Sequence, residues 1–363
     1  MRIIQVLPTV VYGDAVSNDA MAIMNVIQDM GYETGIYAMN IDKRLIGKEG
    51  LRFPKDLPEL EEEDILIYHG STGDPMNYQL PGYGGRKVMI YHNVTPASFL
   101  WGYSGSAVRL AEAGERGIRF LRNHIEYCIA DSDYNRHELR EMGYRCPIDV
   151  CPILIPFQDY DQEPDPEIMG KYSGDGWTNL LFVGRIAPNK KQEDVIRAFR
   201  AYRNEYQENS RLFLVGNAKG MERYQAELEA LVEREKLTGH VVFTGSVSFR
   251  ALLAYYHLAD AFVCMSEHEG FCVPLVEAMY FDQPIVAFDS SAIPETLGNA
   301  GVLLKTKNPK QAADALHQAL KNESLRTELK EGRIRRLREL SYETVRKQVQ
   351  TCLEKMATRG AEK

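Results

Sequence analysis

Two glutamates eight positions apart, Glu269 and Glu277, bracket the stretch GFCVPLV, one among small and polar loop formers and the other inside an apolar helical run. Such a pair can act as the acid and base of a hydrolase, or the second carboxylate can accept from the hydroxyls of a ribose. Along a continuous helix eight residues span about 12 Å at ~1.5 Å per residue, beyond the roughly 5 to 9.5 Å that glycosidase carboxylates need. Gly270 permits a bend that shortens this distance, so hydrolysis is demoted and not excluded. Pro274 suits the first turn of a helix, whose free amides and positive dipole end favour a phosphate. Glu277, expected in that first turn, either accepts from a nearby ribose or only stabilises the dipole. Arg185 and Lys190, five apart in GRIAPNKK, can clamp a diphosphate, or they belong to a solvated basic loop.

These residues must be held by regular elements. Apolar runs such as RIIQVLP, DILIYHG, KVMIYHN and YCIADS, then NLLFVG, RLFLVG, VVFTG, AFVCMS and PIVAFD, alternate with amphipathic stretches such as KKQEDVIRAFRAYRNEY. Strand alternating with helix gives parallel sheets covered on both faces. Two such series in 363 residues give two doubly wound α/β domains. The divisions expected are 1–160, a linker at 161–176 within the proline- and acid-rich stretch 155–177, a second domain at 177–340, and a last helix over 341–363 that frays at Ala361 and packs towards the first domain. EEED at 61–64 reads as a solvated loop.

Lys+Arg number 15 against 25 Asp+Glu up to residue 165, and 28 against 26 beyond it, so an anionic ligand belongs with the second half. An acidic chain of net charge -8 without a basic stripe is a poor nucleic-acid binder. The mean hydropathy of -0.34 fits a soluble globular chain. The first residues read as a buried strand, not a signal peptide. No membrane span is visible; Arg109, Arg116 and Arg119 share a helix face with Glu112, which favours a solvated exterior. Six cysteines without a CxxC suggest reduced thiols in the cytoplasm, with neither a disulfide framework nor a zinc site. A dehydrogenase is disfavoured, because no GxGxxG follows the first strand.

The stretch from Glu269 to Glu277 resembles the E-x7-E signature of retaining glycosyltransferases. With YHNVTP, ADSDYNRHEL, GRIAPNK and SAIPETLGNAG in that order, the chain resembles family 4 of the nucleotide-sugar-dependent transferases. The resemblance implies the GT-B fold, two Rossmann-like domains facing across a cleft, with the acceptor on the first and the nucleotide-sugar on the second. It implies Arg185 and Lys190 on the donor diphosphate, Glu277 on the ribose, and Glu269 on the sugar with main chain at Gly270, Phe271, Cys272 and Val273. His92 in YHNVTP would approach the transferring sugar. Main chain near Ser246 and Val247 is either a base-contacting loop or a plain strand-end turn.

Some positions depart from the family pattern. The loop after the first strand reads YGDAVSND, so Gly13 keeps only part of a diglycine's role beside the diphosphate. Asp14 binds an acceptor hydroxyl or serves as a helix cap. His69 and Asn93 are further acceptor candidates. Lys191 stands where a glycine is common, which leaves open which lysine points inward. DSD at 131–133 and DYD at 159–161 read as structural, with Ser132 a helix cap, and no metal or other cofactor is expected. The function implied is a metal-independent, retaining transferase in polysaccharide or cell-envelope biosynthesis, cytoplasmic and at most peripheral at the inner membrane face. The other class is a non-catalytic nucleotide-sugar-binding subunit of a glycan-assembly complex.

Overall fold

The computed structural model describes residues 1–358; the expected fraying at Ala361 lies outside them. The chain forms two compact units. The first comprises Met1–Ala97, Val108–Phe157 and the C-terminal stretch from Leu340, and the second Ser98–Ala107 and Gln158–Glu339.

Among the described residues the first unit holds a sheet of seven strands: β1 (Arg2–Val10), β2 (Glu33–Ile41), β3 (Leu51–Arg52), β4 (Ile65–Gly70), β5 (Arg86–Tyr91), β6 (Tyr127–Ala130) and β7 (Ile148–Val150). Their order is β3-β2-β1-β4-β5-β6-β7, and neighbours pair in parallel. Alternate residues of a strand point to opposite faces, and here both faces are buried. Leu66, Tyr68, Met89 and Tyr91 join Ile118, Leu121 and Tyr144 on one side. Ile65, Ile67, Val88 and Ile90 join Ile23 and Ile27 on the other. That second face is completed by the helix Tyr342–Thr358, which contributes Val345, Val349, Cys352, Leu353 and Met356.

The second unit repeats the plan with β8 (Thr178–Val183), β9 (Ser210–Val215), β10 (Val241–Gly245), β11 (Ala261–Cys264), β12 (Ile285–Phe288) and β13 (Val302–Leu304). The order is β10-β9-β8-β11-β12-β13. In each sheet the order therefore reverses beside the first strand, between β1 and β4 and between β8 and β11, and a crevice opens there at the carboxyl ends.

Three details differ from the sequence reading. The two-residue β3 carries too short an apolar signal to be read, and it exists through pairing of Leu51 and Arg52 with Ile36 and Tyr37. The stretch expected as a linker contains the helix Pro166–Tyr172, capped by Asp165, and the chain passes between units at Phe157. Of EEED only Glu61, Glu62 and Glu63 are solvated; Asp64 is buried against Arg2 at 2.5 Å.

Because Leu353 is 1% exposed and fills the face under β1, β4 and β5, Leu353→Ala is expected to destabilise the chain by about 2–5 kcal/mol in chemical denaturation. The exposed neighbour Glu354→Ala should stay within about 0.5 kcal/mol of wild type. Equal effects of the two would show that the helix does not cover this core.

Candidate functional site

The residues following β8 and β11 form one connected set in the second unit. The loop after β8 starts with Gly184 N–H donating to the Val215 carbonyl at 2.9 Å and Ile186 N–H to that of Asn217 at 2.8 Å. Gly216 makes this approach possible: at φ 150, a Cβ there would stand 1.9 Å from the Gly184 carbonyl oxygen. At its far end the loop is joined to the one after β11. Buried Asn189 donates through Nδ2 to the His268 carbonyl at 3.1 Å, and its own carbonyl accepts from Glu267 N–H at 2.8 Å.

This double link brings Lys190 Nζ to 2.6 Å from Glu269 Oε2. Burial works against the Lys190 ammonium, but the Glu269 carboxylate together with Cys272 more than offsets it, so its pKa stands above the usual lysine value. Lys191, at φ 53, turns the other way, with its ammonium 3.4 Å from Glu267 and 3.7 Å from Glu193. Lys190 is thus the inward lysine. The Arg185 guanidinium is exposed, and no hydrogen bond or ion pair engages it among the described residues. Val247 packs its side chain against the unit's core.

The bend expected at Gly270 is made by Cys272, whose φ of 75 caps the helix Val273–Tyr280. Phe271 is buried, and its carbonyl accepts from Thr296 Oγ1 at 2.5 Å. Glu269 N–H donates to Ser291 Oγ at 2.9 Å, so Ser291 helps to set the loop. The placing of Glu277 needs correction: the helix starts at Val273, so Glu277 lies beyond the first turn and its carboxylate is turned inward. It accepts from the Tyr160 hydroxyl at 2.6 Å and from that of Tyr256 at 2.5 Å. Burial raises its pKa, and the two hydroxyls oppose this. Sequence reading missed both tyrosines, because Tyr160 lay in the proline- and acid-rich stretch 155–177 and Tyr256 in an ordinary apolar helix.

Carboxyl-end residues of the first unit are more occupied than expected. Asp14 is exposed and caps the helix Ala15–Asp29 by accepting from Ser17 N–H at 3.1 Å, the cap role foreseen as its alternative. Gly13, at φ 76, makes the turn before it. His69 is fully buried, which rules out an acceptor contact: its ring lies between Gln5 at 2.9 Å and His92 at 2.8 Å. The His92 side chain is 1% exposed with both nitrogens bonded, one to His69 and one to Asp131 at 2.9 Å, so its ring offers no free atom to a sugar. Asn93 is likewise a turn residue, at φ 78, its Nδ2 donating to Asn135 and Glu138 at 2.7 Å each. Ser132 caps the helix Asp133–Glu141 as foreseen.

Among the described residues two groups could offer three ligand atoms to a cation, Asp19 with His69 and His92, and Cys264 with Glu269 and Cys272, the atoms of each lying within 4.8 Å of one another. In the second, the Lys190 ammonium already occupies Glu269. Among the described residues no helix is long and apolar enough to cross a membrane.

Two parallel-sheet Rossmann-like units of this order are the α/β architecture of the GT-B fold, and solved structures with that fold superpose on most of the chain. Anabaena HepE in complex with UDP-glucose gives a TM-score of 0.76 at 14% identity, over 98% of this chain and all of that one. WaaG, a glycosyltransferase involved in lipopolysaccharide biosynthesis, gives 0.69 at 16% identity, over 95% of this chain and 98% of that one. Residues 171–336 match the family described as glycosyl transferases group 1. The O-antigen chain mannosyltransferase B of Escherichia coli is 26% identical over 271 residues, 74% of this chain and 68% of that protein. A GDP-mannose-dependent alpha-mannosyltransferase of Mycolicibacterium smegmatis is 35% identical over 126 residues, 35% of this chain and 29% of that protein.

Burial pushes the Asp19 carboxyl up to about 7, opposed by the His92 charge. Its folded value lies above its unfolded one, so its stabilising contribution is full below the unfolded value and is lost as pH rises through about 7. Melting temperature is expected to fall as pH rises from the unfolded value of 3.8 to about 7, and to level off above that. Asp19→Asn, which can still accept from Leu154 N–H, should lessen that fall. An equally steep decline in the variant would contradict this assignment.

Proposed function

We propose that this chain transfers a hexose from a nucleotide-diphosphate sugar to a hydroxyl of a growing glycan or glycolipid, as a family 4 enzyme acting with retention and without a divalent cation. The pairing of Lys190 with Glu269 at the reversal between β8 and β11, beside the unengaged Arg185, carries this reading. A diphosphate bridging Arg185 and Lys190 would have its charge met by a fork and a point cation. Glu269 would then accept from sugar hydroxyls, and main chain from Gly270 to Val273 would approach the same group. Glu277, held by two tyrosines that each use one lone pair, keeps acceptor capacity for a ribose hydroxyl. Main chain at Val247 would meet the base.

The similar proteins named mannosyltransferases make GDP-mannose the first donor to test, and UDP-glucose, bound in a structure of the same fold, the second. The acceptor oxygen would bond to the anomeric carbon on the face that the diphosphate leaves. The breaking bond's electrons pass to the diphosphate oxygen, which takes the acceptor's proton. Glu269, already an ion-pair partner, supports such a same-face course better than double displacement. We place the enzyme in the cytoplasm, at most peripherally at a membrane.

Arg185→Ala and Lys190→Ala should each lower kcat/KM on the order of a hundredfold or more, since each withdraws positive charge from a leaving diphosphate. EDTA should leave wild-type turnover intact. Both variants within threefold of wild type, or turnover that needs added magnesium or manganese, would sink the diphosphate assignment. A donor that raises the melting temperature without any turnover would point to the non-catalytic class.

Retention is read from the anomeric proton of the product by NMR, and the course of reaction from Glu269→Gln. That variant should slow transfer and show no glycosyl adduct by intact-protein mass spectrometry. An inverted linkage overturns the family 4 assignment, and an accumulating adduct overturns the same-face course.

A further inference from the structure

Gln5, His69, His92 and Asp131 stand side by side on or just after β1, β4, β5 and β6, and they are joined end to end in the interior. The directions of their hydrogen bonds follow from one end. Gln5 Nε2 lies 3.1 Å from the Ala20 carbonyl, which can only accept, so Gln5 Oε1 is the atom facing His69 Nε2 at 2.9 Å. His69 Nε2 therefore carries a hydrogen. Burial, then the His92 charge, keeps His69 neutral, its pKa well below the usual value. Its Nδ1 is then a lone pair, and His92 Nε2, 2.8 Å away, must be the donor.

Ring geometry agrees. The two planes differ by 3° and the centroids are 5.1 Å apart, close to the 2.8 Å N···N separation plus a ring radius on each side. The rings lie end to end in one plane, the geometry of an N–H···N bond. A shared metal would need the two lone pairs to converge at an angle, so His69 and His92 are joined by a hydrogen and not by a metal.

What remains is His92 Nδ1, 2.9 Å from Asp131 Oδ2 with both side chains buried. Without a proton between them, a ring lone pair would face a carboxylate lone pair. We infer that the His92–Asp131 pair retains a proton at neutral pH, and that Gln5, His69 and Asp131 are positioning residues that commit both His92 ring nitrogens inward. His92 then anchors the turn after β5 instead of touching a sugar. The same turn is held from its other side, where Asn135 Nδ2 donates to the Tyr91 carbonyl at 3.1 Å and Asn135 Oδ1 accepts from Asn93.

The titratable groups around His92 are Asp131 after β6, Asp19 on the helix Ala15–Asp29, its cap Asp14, and His69 on β4; Cys151, after β7, faces Asp19 and Asp131. Burial lowers the His92 pKa, but Asp131, by charge and hydrogen bond, and then Asp19 and Asp14 bring it above the usual value.

The test is nitrogen NMR of the whole chain with isotope-labelled histidine, followed across pH. His69 is expected as the Nε2–H tautomer and His92 with hydrogen on Nε2, and the His92 signals should titrate above the ordinary histidine range. Asp131→Asn should bring that titration down while His69 keeps its tautomer. His69 found as the Nδ1–H tautomer, or a wild-type His92 titrating at or below the ordinary value, would overturn the inference. If the variant does not fold, the wild-type spectra decide. None of these readouts depends on a donor or on turnover, so they stand or fall apart from the transferase reading.

Discussion

The contact between the loops after β8 and β11 is the constraint on which the candidate site depends. Parallel order places the two strand ends side by side, but adjacency alone does not aim side chains. Asn189, donating to one main-chain carbonyl and offering its own to Glu267, sets the register between the loops. Only then do Lys190 and Glu269 meet at 2.6 Å. A largely buried ion pair costs desolvation that the attraction between the charges only partly recovers. Its presence at a strand-end crevice, with a free Arg185 nearby, is better understood as preparation for a charged ligand than as a source of stability.

The first unit uses the same crevice differently. Where the second unit leaves a cation unengaged, the first closes its strand ends with a hydrogen-bonded row from Gln5 to Asp131. Each side chain in that row has a hydrogen-bond partner, which is what makes it tolerable in an interior. The two sheets share a strand order and differ in whether their carboxyl ends are satisfied from within.

Alternation of apolar runs with amphipathic stretches was enough to read two doubly wound units, because strands buried on both faces must be continuously apolar and the covering helices must be amphipathic. The same local logic found the Ser132 cap and the proline in the first turn of Val273–Tyr280. It also found the basic loop after β8 and the two glutamates, since charge and spacing are properties of short segments.

Partnerships across long sequence distances were not legible. Nothing in the chain's local pattern says that Tyr160 and Glu277, 117 positions apart, share a hydrogen bond, or that His69 meets His92 and not an acceptor. Ser98–Ala107 gives no sign of belonging to the second unit, where Phe99 stands 6.0 Å from the His268 ring. Nor does adjacency of Lys190 and Lys191 reveal that the left-handed backbone at Lys191 sends the two ammonium groups apart. Periodicity and composition are written into consecutive residues. The protonation and direction of a side chain depend on what the completed packing puts opposite it, and that follows from closure of the sheets.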